Sequence, residues 1–331
     1  MLDKTQQTSF PKLNRGYNSV FKPDQLSLGL VVPIENYSLS TIPTMKRHIE
    51  RAQLAEELGF KAVWLRDVPF NVPTFGDAGQ TFDPFVYLGA LAMATSEIAL
   101  GVASVILPLR HPAHVAKAAA TADVLSQGRL LLGVASGDRP EEYPALNMSF
   151  HDRGERFREA MAYIRGMAEQ DPQFTNAHGA AQGQMDMLPK PTSGRLPLLI
   201  TGGSQQDPNW VAQHGDGWMT YPRDAASQGR VVADYRRRSR GGGGGDDESD
   251  DIRVEKPVMQ SLYIDLLDDP NAAPRPIHLG FQSGTNFLRS YLLELRTLGI
   301  NHVAINLRFN QADTETTLKR LADDLLGEFN I

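Results

Sequence analysis

Cysteine is absent from the 331 residues. Disulfides, zinc–thiolate centres, iron–sulfur clusters and thiol nucleophiles are excluded with it. No stretch reaches the roughly 18 uncharged apolar residues that a bilayer span requires, so no membrane segment is expected. Met1–Lys22 is polar and lacks the apolar run of an export signal. It reads as a loose arm within an N-terminal segment 1–25, and a cytoplasmic location is expected. Positive charge is in deficit: 33 Lys and Arg stand against 39 Asp and Glu, a net charge of −6. That balance gives no reason to expect a nucleic-acid partner. His111 and His114 stand three apart, but Pro112 marks a helix start and no acidic partner lies near in sequence, so no metal site is expected.

What is present suits one large α/β domain: 41% hydrophobic and 22% charged residues, ordinary for a globular protein. A unit recurs in which an amphipathic helix ends at a glycine and an apolar run follows. It reads AEELGFKAVWL around Gly59, VLSQGRLLLGV around Gly128, VAQHGDGWMTY around Gly215 and LRTLGINHVAIN around Gly299. Glycine tolerates the left-handed backbone that closes a helix, after which the chain turns into a strand. Helical spacing lines up Met45, Ile49, Ala52, Ala55 and Leu58 on one face, and Phe287, Leu288, Tyr291, Leu292, Leu295 and Leu298 on another.

Eight short apolar runs read as strands covered on both faces: Leu26–Val32, Ala62–Leu65, Ile98–Ile106, Leu130–Val134, Leu198–Thr201, Gly217–Thr220, Val258–Leu266 and His302–Leu307. Alternation with eight helices predicts a (β/α)8 barrel over 26–331. The rival is a doubly wound sheet, against which stands the lack of G-x-G-x-x-G after the first strand. Asp171–Arg195, polar and rich in Gly, Pro and Gln, is an insertion between helix four and strand five. Arg240–Asp251 joins a glycine run to an acidic tract, and this composition predicts disorder over 240–251.

In such a barrel the reactive groups lie just past the C-terminal ends of the strands. That rule selects Glu35 and Asn36; Arg66 and Asp67; Arg110 and His111; Ser136, Gly137, Asp138 and Arg139; Thr201, Gly202, Gly203 and Ser204; Tyr221 and Arg223; Asp265; and Asn306 and Arg308. The ring is polar and of both signs, suited to a charged organic ligand. TGGSQQ is its most suggestive piece: Gly202 and Gly203 let backbone amides approach a phosphate, and Ser204 offers a hydroxyl. An ordinary tight turn has the same composition.

Three separated motifs then agree. GVASVILPLRHPAHVAKAAATADVLSQGRLLLGVASGDRP, the AEELGFKAVWLRD segment and GGSQQ…WVAQHGDGWMTYPR resemble the luciferase-like monooxygenase superfamily, over about Leu26 to Arg223 and more loosely over Gly280 to Ile331. RDVPF and FGDAGQTFDP point to a subgroup of luciferase-type oxidoreductases. The resemblance implies a (β/α)8 fold, a non-covalent FMN or deazaflavin cofactor, and a homodimer. It implies a non-prolyl cis peptide at Ala103–Ser104, beside the flavin ring, and a phosphate site at Gly203, Ser204 and Gln205. Ser136 stands where the luciferases place an arginine near the phosphate, so Arg139 or Arg223 is expected to supply that charge, with Tyr221 nearby. One departure matters. The luciferases carry a histidine just after strand two, where this chain has Val68. Light-emitting aldehyde oxidation is therefore not expected, and Asp67, Arg66 and His111 are the candidates for work on another small organic substrate.

The activity so implied is a monooxygenase or oxidoreductase using reduced FMN and oxygen, with a separate flavin reductase as a partner. Hydride transfer with a deazaflavin is the second reading, and a non-catalytic flavin-binding protein the third.

Overall fold

The computed structural model describes residues 7–240 and 252–330. Eight strands run parallel: β1 (Ser27–Val31), β2 (Ala62–Leu65), β3 (Ala99–Ile106), β4 (Leu130–Ala135), β5 (Leu198–Thr201), β6 (Gly217–Thr220), β7 (Val258–Leu266) and β8 (His302–Asn306). Each pairs with its successor, and β8 pairs with β1. The sheet closes into the expected barrel. Eight helices surround it: α1 (His48–Leu58), α2 (Pro84–Ala94), α3 (Pro112–Leu125), α4 (Arg153–Ala168), α5 (Pro208–His214), α6 (Ala225–Arg240), α7 (Thr285–Thr297) and α8 (Thr314–Leu321). The expected strands match to within about a residue or two at their ends, because runs apolar on both faces are what a helix-wrapped barrel requires.

Side-chain alternation splits the core in two. Val63 and Leu65 on β2, with Leu100 and Val102 on β3, pack outward against the helices. Ala62, Trp64, Leu131, Leu199 and Met259 point inward. Trp64 is fully buried, and its indole fits because β3 carries Gly101, where a Cβ would lie 2.2 Å from the Trp64 ring.

The glycine joints behave as expected at Gly59, Gly128 and Gly299, with φ of +92°, +80° and +90°. Gly215 differs: its φ is −76°. Glycine is needed there for space, since a Cβ would come within 2.9 Å of the Gly217 carbonyl. Met45 falls outside α1, which begins at His48. The arm is not loose over residues 7–25. Gln7–Ser9 pairs with Ile252–Val254, and a short helix, Arg15–Val20, docks under the barrel. Asn14 caps that helix by accepting from the Tyr17 amide and also donates to Asp123 and the Leu130 carbonyl. Tyr17 and Phe21 join the inward cluster and seal the floor. The insertion before β5 carries an antiparallel hairpin, Gln173–Asn176 with Gly179–Gln182. Of the segment 240–251, all but Arg240 lies outside the described residues.

Candidate active site at the barrel mouth

A cavity of about 600 Å³ opens at the C-terminal ends of the strands, within the usual range of small-molecule sites. Its wall takes residues from β1, from β3 through β8, and from the loops that follow β2 and β4 through β8.

On the β5 side lies the turn from Thr201 to Gln206. Gly202, Ser204 and Gln205 all have positive φ, at +55°, +44° and +60°. Such a run turns successive amides toward one side, making a concavity for an anion. The Gly202 amide is used, donating to the Met219 carbonyl on the neighbouring β6, and Gln206 closes the turn onto the Gly203 carbonyl. The amides of Gly203, Ser204 and Gln205 donate to no carbonyl among the described residues. The Ser204 hydroxyl is committed, donating to the Thr201 carbonyl at 2.8 Å. The donors left open at this turn are therefore backbone amides, and the Ser204 hydroxyl is not among them.

Next to it, β3 bulges. Its register against β4 slips between Val102 and Val105, and the peptide Ala103–Ser104 is cis, as expected. Ala103 and Ser104 both line the cavity. Ser104 Oγ hydrogen-bonds Thr201 Oγ1, which ties the bulge to β5. Ser136, Gly137 and Tyr221 also line the wall. The Ser136 carbonyl accepts from the Tyr143 hydroxyl, which fixes the β4 turn.

The opposite side is charged. Asp67 is buried and fully engaged: Arg110 reaches it through both Nε and Nη2, at 2.9 and 2.7 Å, and the Ile106 amide adds a third bond. A carboxylate so held is a bracing group rather than a free base. Arg66 donates to Asp77 at 2.7 Å, and Arg308 lies 3.1 Å from the same Asp77 oxygen. The Tyr37 hydroxyl and the Gly79 amide complete the shell. Although burial acts against it, this cluster holds the Asp77 carboxyl below its ordinary range, with Arg66 the main cause. Arg139 lies 3.9 Å over the Phe75 ring and donates to the Asp77 carbonyl. Behind it, Glu142 is buried with no hydrogen-bond partner for either oxygen. Burial pushes its carboxyl up to about 7, against the pull of Arg139.

The geometry moves several of the residues picked from the sequence. His111 does not line the cavity: its Nδ1 caps α3 by accepting from the Ala113 amide, and its ring faces His114, Tyr163 and His178. A residue preceding Pro at a helix start is drawn to that capping position. Arg223 turns back from the rim and donates to Thr220 Oγ1 and the Tyr221 carbonyl, bracing β6. Glu35 is spent on Thr44 and Arg51, and Asp265 on Gln282 and the Gln311 amide. The cavity gains Phe75, Asp77, Tyr263 and His278, which the strand-end rule did not select. FGDAG at 75–79 carried a weak signal, two glycines with positive φ around an aspartate. His278 had none, since it arrives on a hairpin whose position only the fold sets. Among the described residues no cluster of three or more His, Asp or Glu could hold a metal, and no helix is long and apolar enough to cross a membrane.

Comparison with known proteins supports this reading. The family described as luciferase-like monooxygenase matches residues 26–324. An uncharacterised protein of Mycobacterium tuberculosis is 33% identical over 189 residues, covering 52% of this chain and 67% of the relative. From the same organism, the F420-dependent hydroxymycolic acid dehydrogenase is 28% identical over 206 residues, covering 61% of this chain and 55% of that one. The oxygenase component of the flavin-dependent trigonelline monooxygenase of Acinetobacter baylyi is 31% identical over 169 residues, covering 50% and 42%. Among solved structures, the monooxygenase RslO1 of Streptomyces bottropensis superposes with a TM-score of 0.71 at 19% identity, covering 91% of this chain and 99% of that one.

Proposed function

The chain belongs to the luciferase-like monooxygenase family and is an oxidoreductase of that class, and from this premise we propose that it uses FMN to oxidise a small organic substrate. The observation that carries the reading is the turn at Gly203–Gln205, whose residues line the same cavity as the Ala103–Ser104 bulge and whose amides donate to no described carbonyl. The residues fit the group. Backbone donors suit a phosphoester, and the low, uncharged wall of Ala103, Met219 and Met259 suits a planar ring. Reduced FMN, when bound, supplies the electrons with which oxygen is activated. The chain's own part is to grip the phosphate through Gly203, Ser204 and Gln205, to support the ring at the β3 bulge, and to position the substrate at the Arg66–Asp77–Arg308 end. Arg139, which lines the same cavity as Ser136 and Gly202, adds positive charge. Asp67 acts through Arg110 by holding the corner after β3 in place.

A separate reductase as electron source is supported by the trigonelline relative, which is named an oxygenase component. A homodimer and a cytoplasmic location are part of the same proposal. The second reading, hydride transfer with a deazaflavin, is supported by the F420-dependent relative.

Titrating the purified protein with FMN and with F420 in parallel tests the proposal. FMN fluorescence is expected to be quenched at micromolar protein, with weaker binding of F420. Tighter binding of F420 reverses the choice, and no binding of either removes the flavin reading. Binding without any oxygen or reductant consumption across a substrate panel returns the protein to flavin storage.

A further inference from the structure

One imidazole lines the cavity among the described residues, that of His278. It stands at the tip of the hairpin made by Arg275–Ile277 and Gly280–Ser283. That hairpin extends the barrel sheet alongside β7, with Gly280 opposite Tyr263. A Cβ on Gly280 would lie 1.8 Å from the Tyr263 carbonyl, so only glycine permits the approach. Leu279 is held at φ +49°, unusual for a bulky residue, and its carbonyl accepts from the Tyr263 amide. The tip is thus pinned over the mouth. The His278 ring stands edge-on to Tyr263 at 5.7 Å and near Phe309 at 6.4 Å. Its nitrogens hydrogen-bond no described residue.

Of the three carboxylates that line the cavity, two are committed. Asp67 is clasped by Arg110 and Asp77 by Arg66 and Arg308. Burial raises the Tyr221 and Tyr263 phenols above their ordinary range, and Asp138 stands exposed at the rim. Imidazole is the side chain most often used to move a proton to or from a substrate. The charge around it favours an anion. Arg66 and Arg308 share one carboxylate and so leave a positive charge in excess, and the Arg308 guanidinium lies 5.2 Å over the same Phe309 ring that His278 faces.

We propose that His278 is a catalytic residue that removes the proton from the hydroxyl of a phenolic or enolic substrate, whose oxyanion is held at the Arg66–Asp77–Arg308 end of the cavity. This names the substrate class of the oxidoreductase proposed above and rests on that reading. In the step, the substrate O–H bond breaks and its electron pair stays on oxygen. An N–H bond forms on the imidazole, and the proton passes to solvent at the open mouth. No electron leaves the substrate. The resulting oxyanion is richer in electrons than the neutral hydroxyl, which eases the oxidation that follows.

The probe is 4-nitrophenol, whose ionisation is visible in its absorbance. Bound to the full chain, with or without FMN, it is expected to ionise about one pH unit lower than in water, a tenfold shift. His278→Asn, an exposed substitution at the hairpin tip, is expected to move that ionisation back toward its value in water, with the shift left by the arginines smaller than in the wild type, while the thermal midpoint and FMN affinity stay at wild-type values. Unshifted ionisation in the wild type, or an equal shift in the variant, overturns the assignment of His278. If FMN fails to bind, the flavin reading falls and the nitrophenol result still judges His278. A normal FMN titration with unshifted nitrophenol removes the proton-transfer role alone.

Discussion

Trp64 donates its indole N–H to Nε2 of His302 at 2.8 Å in the floor of the barrel. Ser27 gives its hydroxyl proton to the Val20 carbonyl, so its oxygen accepts from Nδ1 of His302 at 2.7 Å. The imidazole is therefore held neutral, with its proton on Nδ1. Burial alone pushes it down to about 3. A Cβ on Gly29 would come within 2.7 Å of the same ring, so the floor is built around this one pair.

Two buried groups should give the stability of the protein opposite dependences on pH. His302 titrates lower in the folded chain than in the unfolded one, about 3 against 6.5. The unfolded chain then binds the extra proton, and stability falls as pH drops below 6.5. Glu142 titrates higher when folded, about 7 against 4.5. The native state holds that proton, and stability falls as pH rises above 4.5. Between 4.5 and 6.5 the two slopes oppose each other, each about 1.4 kcal/mol per pH unit. Glu142→Gln is expected to expose the His302 slope across this window in urea denaturation. A flat profile in that variant would contradict the buried neutral histidine.

Placing a negative charge in the Gly203–Gln205 turn should discriminate between flavins by their phosphate. Ser204→Asp is expected to weaken FMN at least about tenfold, or ~1.4 kcal/mol, and to leave riboflavin affinity within a factor of about two, as repulsion acts only on the phosphoester. Fluorescence titration of both flavins reads this directly. Equal losses for the two would place the phosphate elsewhere.

The Asp67–Arg110 pair gives a test of bracing against chemistry. Asp67→Asn leaves a partly buried guanidinium without its main partner and is expected to cost about 3 kcal/mol. Arg110→Met added to it should recover most of that loss, because both charges are then gone. Chemical denaturation of the two variants measures the coupling. A single variant as stable as wild type would show that the pair does not brace the corner after β3.

Gly101→Ala should disturb the floor without touching the mouth. Its Cβ would meet the Trp64 ring at 2.2 Å, an overpacking expected to cost about 1–3 kcal/mol. FMN affinity is expected to survive in the folded fraction. Loss of flavin binding with unchanged thermal stability would break the separation of floor from mouth.

What could be read from the chain alone was local. Strands such as Leu198–Thr201 and Gly217–Thr220 are runs buried on both faces, and their ends follow from that burial pattern. Gly59, Gly128 and Gly299 close helices because the left-handed backbone is a property of one residue and its neighbours. TGGSQQ could be singled out for the same reason. The destinations of side chains could not be read in this way. Asp67 is a candidate for work on the substrate by its place after a strand, and its clasp by Arg110, 43 residues on, is not visible locally. His111 stood at a strand mouth in sequence, yet the helix start beside it took its ring as a cap. Asp77 and His278 sit far along the chain from the end of any barrel strand, and each reaches the cavity because a loop or hairpin folds back over the rim. Short-range conformational preferences fix the order of elements. The convergence of charges depends on long-range closure of the barrel, which no local pattern encodes.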